Sequence, residues 1–400
     1  MSESSLVVIG GGAAGTAAAW MASRAGAKVT LLMQGAGATE LFSGALDLEP
    51  WERACELSID PVVRAFAEAL DIWTITDGWR RVATGCGVVR RARGSDTGLL
   101  DLEPLAHGHI AVADSDREGL DGQLLARALQ ASDWAQATGT RFSAVRVSVM
   151  REPAERYFCD HDFALLHEDP ARLAWLGRQL RAAGSTHDAW LLGTWLGATR
   201  AVGPELQARL GLPVGETTSL PGGPAGARFA AQRDRLLAAG DVRVIETRVI
   251  AVEAAAGGWT VGLTPVEQGS SLPEQIVADA VVLAAGGLVG GGVQLALASE
   301  AGGAGIRLAF RAPAPISLDG AELATSGSLH GMELTRLGVG ALERVGIATE
   351  GASVCGAVGL FAAGDCVAGR SRTMIEAVRS GIEAARMALG RQIEPIAGPP

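Results

Sequence analysis

The chain has 400 residues, of which 48% are hydrophobic and 20% are charged. This composition is typical of a globular protein and excludes a disordered or fibrous chain. A formal net charge of −10 argues against a polyanion-binding protein, because non-specific nucleic-acid affinity needs a basic surface. The five cysteines show no C-x-x-C spacing, so the sequence predicts neither a disulfide framework nor an iron–sulfur or zinc site.

The N-terminal segment predicts a dinucleotide-binding turn. Residues 6–9 are an apolar run of strand length, a G-x-G-x-x-G pattern follows, and an alanine-rich helix runs to Ala25 before a second buried strand at Lys28–Met33. In this pattern the first glycine makes a tight turn, the second lets backbone amides approach a pyrophosphate, and the third lets the helix pack on the strand. The residues of this turn that we expect to contact a cofactor are Gly10, Gly12, Ala13, Ala14 and Gly15.

One residue expected from this pattern is absent. An acid that binds the adenosine ribose normally stands at the end of the second strand, but Met33 and Gln34 occupy that place. Three alternatives follow: Gln34 binds a ribose hydroxyl, the adenosine half is held loosely, or that half is missing, as in FMN. The absence weakens an NAD interpretation more than a flavin interpretation, since other segments can anchor a flavin.

Two weakly polar stretches fail as membrane spans. Residues 4–23 carry no charge, but glycines interrupt them, and Glu3 precedes them where a signal peptide has basic residues. Residues 280–299 contain five glycines. We therefore expect a soluble, cytoplasmic chain that reaches the inner face of the cell membrane, if at all, peripherally and through a partner.

Two later strands also end in turns of small residues. Ala280–Leu283 is an apolar strand followed by residues 284–287, which read AAGG, and residues 359–366 form a strand that runs into a tight turn. A helix is predicted to open at Thr373, with Glu376 completing a capping box. The N-terminus of such a helix stabilises negative charge on a reduced flavin ring. The cofactor contacts predicted in these segments are Gly286, Gly364, Asp365 and Thr373.

The three turns together resemble those of the two-dinucleotide-fold flavoproteins. In that superfamily an N-terminal G-x-G-x-x-G, a middle A-x-G-G and a C-terminal A-x-G-D surround one flavin. The resemblance implies an α/β fold, namely a Rossmann-like FAD/NAD(P)-binding domain with a parallel sheet and an inserted smaller α+β domain. It also implies that FAD, or alternatively FMN, is the cofactor and that Asp365 lies beside its ribityl-phosphate portion.

Two further stretches resemble the B-type subunit of the anaerobic glycerol-3-phosphate dehydrogenase. Residues 41–48, LFSGALDL, look like the family segment S-G-[AS]-L-D-L, and residues 210–229 are similar to its R-L-G-x-P-V-x-E … L-P-P-S-x-x-G-x-R-L. The family acts with a second flavoprotein and an iron–sulfur, membrane-anchoring subunit to pass electrons from glycerol 3-phosphate to quinone. The resemblance implies this activity and these two partners. The chain departs from the family at residues 221–223, which read PGG, and is only weakly similar between about 50 and 200.

The domain organisation is predicted to be discontinuous. Residues 1–105 and 225–400 would form the flavin-binding domain, and residues 106–224 would be an inserted substrate or partner domain. Tryptophans are expected to fill the core of the inserted domain or to form a subunit interface. Those considered are Trp175, Trp190 and Trp195.

Several polar residues have two interpretations. Ser43, Gly44 and Asp47 follow a strand end and would contact the isoalloxazine ring, or they form a turn followed by a helix N-cap. His107 and His109 form an H-x-H pair, but with no third ligand nearby they are expected to face solvent, so no metal site is predicted.

The remaining candidates concern catalysis and phosphate binding. His330 lies in a Gly/Ser-rich loop, where a proton acceptor for alcohol oxidation, or simply a loop histidine, would stand. Arg370 and Arg372 sit at the mouth of the last helix and would bind a substrate or flavin phosphate in bidentate fashion, or be solvated.

Three functions are compatible with these patterns. In the first, the chain is a flavin-dependent dehydrogenase component in which an alcohol loses a proton to a base and a hydride to the flavin. In the second, it is a flavin oxidoreductase with another substrate, since this fold hosts many chemistries. In the third, it is a non-catalytic flavin-binding subunit that relays electrons or supports assembly. Because the chain has no cysteine cluster, electrons would leave through a partner.

Overall fold

The computed structural model describes residues 4–34, 37–47, 58–117, 119–184, 186–265, 274–296, 305–318, 321–322 and 344–390. Within these ranges the chain divides into two compact units. Unit 1 comprises the described residues of 1–39, 48–66 and 234–400, and unit 2 comprises those of 40–47 and 67–233.

The regular elements alternate between strands and helices along the chain. The strands are β1 Ser5–Ile9, β2 Lys28–Met33, β3 Ala45–Leu46, β4 Trp73–Ala83, β5 Val89–Asp96, β6 His109–Ser115, β7 Arg141–Val147, β8 Ala189–Leu192, β9 Val214–Glu216, β10 Arg243–Ala255, β11 Gly258–Pro265, β12 Gln275–Ala278, β13 Ala280–Leu283, β14 Val293–Ala296, β15 Gly305–Leu308, β16 Ile316–Leu318, β17 Ala321–Glu322, β18 Val345–Ile347, β19 Thr349–Glu350, β20 Ser353–Val354 and β21 Leu360–Ala362. The α-helices are α1 Ala13–Arg24, α2 Pro61–Leu70, α3 Gly122–Gln130, α4 Asp133–Thr138, α5 Asp160–Leu166, α6 Pro170–Ala182, α7 Gly203–Leu210, α8 Pro224–Ala239 and α9 Met374–Ala388.

Unit 1 is built on a nine-stranded sheet with the order β12-β11-β10-β2-β1-β13-β21-β20-β19. Its central strands, from β10 to β21, run parallel. The chain leaves β1 toward β2 on one side and later returns to β13 on the other. The topological switch, where ligands bind in such sheets, therefore lies between β1 and β13. The predicted α/β fold around a parallel sheet is confirmed.

The central strands of unit 1 are buried on both faces. Val7 and Ile9 of β1 point into an apolar cluster together with Val281 and Leu283 of β13, whereas the alternate residues of β1 point to the opposite face. Helix α1 packs against α9, and a Cβ at Gly381 of α9 would overlap the backbone of α1. The alanine-rich sequence of α1 therefore serves close helix packing.

Unit 2 contains two sheets of different kinds. An antiparallel sheet has the order β3-β5-β4, and a parallel sheet has the order β7-β6-β8-β9. In the parallel sheet the chain moves from β6 to β7 on one side and then to β8 and β9 on the other, so this sheet has a switch of its own between β6 and β8. The segment predicted as an α+β insertion thus differs from expectation, because its larger sheet is parallel and connected by helices.

The division between the units also differs from the predicted boundary near residue 105. Residues 67–105 contain the β4–β5 hairpin and belong to unit 2 rather than to the dinucleotide-binding part. Two bridges explain this assignment, because Thr84 pairs with Thr218 and Leu99 pairs with Glu216 at the end of β9. The hairpin therefore continues into the parallel sheet of the same unit.

The core of unit 2 agrees with the tryptophan prediction. Trp190 and Trp195 are fully buried in its apolar cluster, and Trp175 packs against that cluster while half-buried. Among the described residues, no helix is both long enough and apolar enough to span a membrane.

Candidate functional site

A cavity of about 490 Å³ lies at the carboxyl edge of the parallel strands in unit 1. It is lined by residues of β1, β2 and β10, by residues that follow β13 and β21, and by the starts of α1 and α9, as expected for the ligand site of such a sheet. Most of the cofactor contacts predicted from the sequence line it. These are Gly10, Gly12, Ala13, Ala14, Gln34, Gly286, Gly364, Asp365 and Thr373.

The first glycine turn has the geometry that the sequence predicts. Gly10 adopts a φ of +117°, and its amide donates to the Leu32 carbonyl oxygen at 2.7 Å. A Cβ at Gly10 would overlap the Ala284 carbonyl, and a Cβ at Gly15 would overlap the Gly10 carbonyl. Gly15 therefore does not line the cavity but lets α1 pack against the turn.

The start of α1 presents backbone donors to the cavity. The Ala13 amide donates to the Thr39 hydroxyl at 3.0 Å, which satisfies one of the free N–H groups of the helix. The amides of Gly12 and Ala14 donate to no other residue in the described part of the chain, and both residues line the cavity. Free amides at a helix N-terminus form an anion site. No motif in the sequence pointed to Thr39, because its role depends on how the chain returns after β2.

The turn after β21 places one carboxylate in the cavity. Gly364 has a φ of +71°, and its amide donates to the Ser380 hydroxyl of α9 at 2.9 Å. Asp365 follows and lines the cavity. Burial raises the pKa of Asp365 above its usual value, and the neighbouring Arg372 guanidinium partly opposes this shift. Asp365 is the only carboxylate among the described lining residues.

The start of α9 corrects one prediction. Thr373 is the N-cap and lines the cavity, but its side chain makes no capping hydrogen bond. The predicted capping box with Glu376 is wrong, because that carboxylate accepts from Arg370 at 3.0 Å and from Arg379 at 2.6 Å instead. The first turn of α9 nevertheless faces the cavity, so the positive end of its dipole acts there.

The two predicted phosphate-binding arginines are placed differently. Arg370 lies outside the cavity lining, and its charge is paired with Glu376 at 3.0 Å and Glu383 at 2.9 Å. Arg372 lines the cavity while donating to the carbonyl oxygens of Val367 at 2.9 Å and Val345 at 2.7 Å. Of these two arginines, only Arg372 brings a cation to the site.

The part of the cavity next to β2 and β10, where the sequence pattern predicts an acid that binds a ribose, has no carboxylate among its described lining residues. At the end of β2, Met33 packs over Gly11, and Gln34 is exposed at the cavity edge. From the neighbouring strand β10, Thr247 and Arg248 also line the cavity. An amide and a guanidinium thus stand where a ribose-binding carboxylate is usual. The sequence predicted the contribution of Gln34 but not those of β10, whose register on β2 brings these residues there.

The residues predicted to touch the isoalloxazine ring belong to unit 2. Gly44 has a φ of +98°, and its carbonyl oxygen accepts from the Asp96 amide at 2.7 Å. Asp47 follows the short strand β3 and is paired with Arg90. The alternative of a helix N-cap concerns the residues from 48 onward, which lie outside the described residues. Burial raises the pKa of Asp47 above its usual value against the effect of Arg90. The ring contact of Ser43, Gly44 and Asp47 stays a prediction.

The histidine candidates contribute no described catalytic group. His330 lies outside the described residues. The His109 ring lies between the Ser143 hydroxyl at 2.7 Å and the Thr186 carbonyl oxygen at 3.2 Å. Within the described part of the chain, no group of three or more His, Cys, Asp or Glu side chains has a metal-binding arrangement.

The family-like stretch at residues 210–229 contributes a buried ion cluster to unit 2. The Arg228 guanidinium lies 2.9 Å from the Asp96 carboxylate and 2.8 Å from the Glu216 carboxylate, and it also donates to the Gly197 carbonyl. All three charged side chains are fully buried. Burial raises the pKa of Glu216 to about 7, although Arg228 opposes the shift. The conspicuous charges of this stretch therefore connect unit 2 internally.

One family model matches the first segment of the chain. The model of the family described as "Glucose inhibited division protein A" matches residues 5–69. This match covers the strand, glycine turn, helix and second strand that begin unit 1. No curated protein sequence matches the chain.

Several solved structures are similar over most of the chain at low identity. Glycine oxidase from Geobacillus kaustophilus is 13% identical, with 98% of this chain and 96% of that chain covered and a TM-score of 0.35. The GidA-related protein from Thermus thermophilus is 12% identical, with 97% and 99% covered and a TM-score of 0.33. Iminodiacetate oxidase from Chelativorans sp. BNC1 is 14% identical, with 99% and 97% covered and a TM-score of 0.31.

Proposed function

We propose that the chain is a flavin-dependent oxidoreductase that binds FAD in the cavity of unit 1. One observation carries the proposal: the three glycine turns at Gly10, Gly286 and Gly364, which are far apart in the sequence, line the same cavity. The match of residues 5–69 to a family model adds support for the first turn.

The shape of the lining favours FAD over FMN. Residues that follow β13 and β21 line the cavity on one side of the Gly10 turn, and residues of β2 and β10 line it on the other. Five adjacent strands span about 19 Å at about 4.8 Å for each spacing. A pyrophosphate at the Gly10 turn would thus have room for the flavin on one side and for an adenosine on the other.

The described residues fit the parts of such a cofactor. The amides of Gly12 and Ala14, which donate to no other described residue, would bind the pyrophosphate. Asp365 would accept a hydrogen bond near the ribityl-phosphate portion, and the start of α9 would favour negative charge on the ring. The flavin supplies hydride acceptance when it is bound, while the protein supplies position and electrostatics.

For the substrate we propose glycerol 3-phosphate, with the chain as the B-type subunit of an anaerobic dehydrogenase. The support is the resemblance of residues 41–48 and 210–229 to that family. Electrons would pass to a quinone through a second flavoprotein and an iron–sulfur subunit that anchors the assembly to the membrane. Another substrate on the same flavin fold is the alternative.

One observation favours a second candidate, a non-catalytic flavin subunit that relays electrons. The described residues that line the cavity include no histidine, lysine, cysteine or tyrosine. The usual proton acceptors for alcohol oxidation are therefore missing from this part of the site. In this case the partner flavoprotein would oxidise the substrate, and this chain would receive its electrons.

Anaerobic reduction of the flavin separates these functions. The purified chain, loaded with FAD, is mixed with glycerol 3-phosphate alone and then with the partner flavoprotein present. Bleaching of the flavin absorbance by the chain alone supports the dehydrogenase, and bleaching only with the partner supports the relay. No bleaching in either case, with bleaching by another alcohol or amine in a substrate screen, would reject glycerol 3-phosphate.

A further inference from the structure

We propose that strand β7 of unit 2 is a docking edge that binds an extended acidic segment of a partner protein as an added strand. The inference concerns residues of unit 2 that are not among the predicted cofactor contacts, and it does not depend on the proposed function. It arises from an open groove between β7 and the neighbouring helices α3 and α4.

The edge position of β7 follows from the sheet. The order β7-β6-β8-β9 leaves β7 with one neighbouring strand among the described residues. The Arg141 amide donates to the Gly108 carbonyl oxygen at 2.9 Å, on the β6 side. Because backbone groups alternate in direction along a strand, Phe142, Ala144 and Arg146 direct their N–H and C=O groups to the open side. An exposed row of this kind is a template for another strand.

The Gln130 side chain already forms hydrogen bonds with outward backbone groups at the start of β7. Its side-chain oxygen accepts from the Phe142 amide at 2.8 Å, and its side-chain nitrogen donates to the Thr140 carbonyl oxygen at 3.3 Å. The amide of Gln130 thus occupies the first position of an added strand. The next outward groups, the Phe142 carbonyl and both backbone groups of Ala144, form no hydrogen bond with another described residue.

The groove beside these groups is large enough for a peptide backbone. Its volume is about 630 Å³, and its lining combines Phe142–Ala144 of β7 with polar side chains of the helices, including Gln123, Arg127 and Gln136. A peptide in strand addition takes its affinity from main-chain hydrogen bonds and its specificity from side-chain contacts beside them. The lining offers both.

The charge of the groove selects the occupant. Arg127 in the groove lining, and Arg141, which precedes the lining residues of β7, are exposed and take part in no ion pair within the described residues. Arg146, whose side chain is 66% exposed, lies 3.4 Å from the Asp114 carboxylate. Two copies of β7 in antiparallel pairing would bring these arginines together and repel. An acidic segment with carboxylates beside Arg127 and Arg141 is complementary instead.

A peptide-binding experiment on the full-length chain tests the proposal. The probe is a fluorescein-labelled octapeptide of alternating Thr and Glu, compared by anisotropy with one of alternating Thr and Lys. The acidic peptide should bind the wild-type chain more tightly than the basic one. Ala144→Pro should weaken its binding by about tenfold or more, because proline removes an outward N–H at an edge position where it is tolerated.

Charge variants keep the test decisive if Ala144→Pro does not fold. Arg127→Glu should weaken the acidic peptide several-fold and favour the basic one. Arg178→Glu, an exposed charge change on α6, is the matched control and should leave binding unchanged. Equal binding of the two peptides, no binding of the acidic one, or self-association of the chain that Ala144→Pro abolishes would each overturn the proposal.

Discussion

The parallel strands of unit 1 and of unit 2 have the same kind of topological switch, but the carboxyl ends of the strands differ in whether they leave a cavity. In unit 1 the strands end in small residues, and a cavity opens between them, so we call this the open edge. In unit 2 the strands β8 and β9 end beside the buried cluster of Arg228, Asp96 and Glu216. Arg228 also donates to the Gly197 carbonyl in the loop after β8, and we call this filled edge the closed edge. The sheet therefore defines where a ligand can bind, while the residues at the strand ends decide whether space is left for one.

The edge of unit 2 beside β6 is also occupied by its own side chains. The Arg117 guanidinium is paired with Asp160 and donates to the Phe158 carbonyl oxygen at 3.0 Å. The Thr194 hydroxyl donates to the same Asp160 carboxylate at 2.6 Å. Side chains therefore make, within unit 2, the contacts that we assign to a cofactor in unit 1.

Removing the cation of the buried cluster should have the largest effect. Arg228→Ala leaves the carboxylates of Asp96 and Glu216 buried without a partner, which destabilises by about 3–5 kcal/mol. We expect urea unfolding to show this loss in unit 2. Arg200→Ala is the control, because its pair with Glu205 is about one-third exposed, and it should cost less than about 1 kcal/mol. Equal effects of both variants would contradict the interpretation of a closed edge.

A methyl group in the first glycine turn should have the next largest effect. Gly15→Ala places a Cβ against the Gly10 carbonyl, and overpacking of this kind costs about 1–3 kcal/mol. Because the turn must shift, flavin binding should be lost as well. Gly26→Ala is the control: a Cβ there meets open space, so only its φ of +78° is strained, at about 1 kcal/mol. Full flavin content in purified Gly15→Ala would contradict the assignment of this turn.

The two arginines near the start of α9 test which side chains at the open edge contact the flavin. Arg372→Ala removes the cation that lies in the cavity beside Asp365 and should weaken flavin binding by about tenfold, or 1.4 kcal/mol. Arg370→Ala should change flavin affinity little, since Arg370 lies outside the lining and pairs with Glu376 and Glu383. Flavin titration followed by fluorescence measures both. A larger loss for Arg370→Ala would reverse the assignment.

The remaining prediction concerns a pH dependence of the closed edge. The pKa of Glu216 is raised to about 7 in the folded chain from an ordinary value of 4.5, so the folded state binds its proton more tightly. Its contribution to stability is complete below pH 4.5, decreases as the pH rises toward 7, and is lost above 7. Unfolding measured between about pH 5 and 8 should show this decrease in the wild-type chain. Glu216→Gln should flatten it, and an unchanged profile would show that another group titrates.

The sequence predicted the open edge better than the closed one. Local patterns were enough for Gly10, Gly286 and Gly364, because each glycine turn follows its own strand and the topology of such sheets brings strand ends together. Thr39 and Arg248 carry no such pattern, since only the register of β10 on β2 and the return of the chain bring them to the cavity. Their roles are tertiary and were not predictable locally.

The contacts at the closed edge were not predictable from local sequence patterns either. Glu216 and Arg228 belong to a stretch noted for its family resemblance, but their partner Asp96 lies more than one hundred residues earlier, at the end of β5. No spacing rule connects them. The parallel order of β7-β6-β8-β9 was likewise missed, because β8 and β9 are short and give little periodic signal.

The most direct test of the central claim is the identity of the ligand in the open cavity. Mass spectrometry of the small molecule released from the purified, denatured chain should detect FAD, at about one equivalent for each chain and with none in the Gly15→Ala variant. FMN alone would contradict the assignment of an adenosine side to β2 and β10. The absence of any flavin, together with failure to take up added FAD or FMN, would contradict the claim that the three glycine turns surround one flavin.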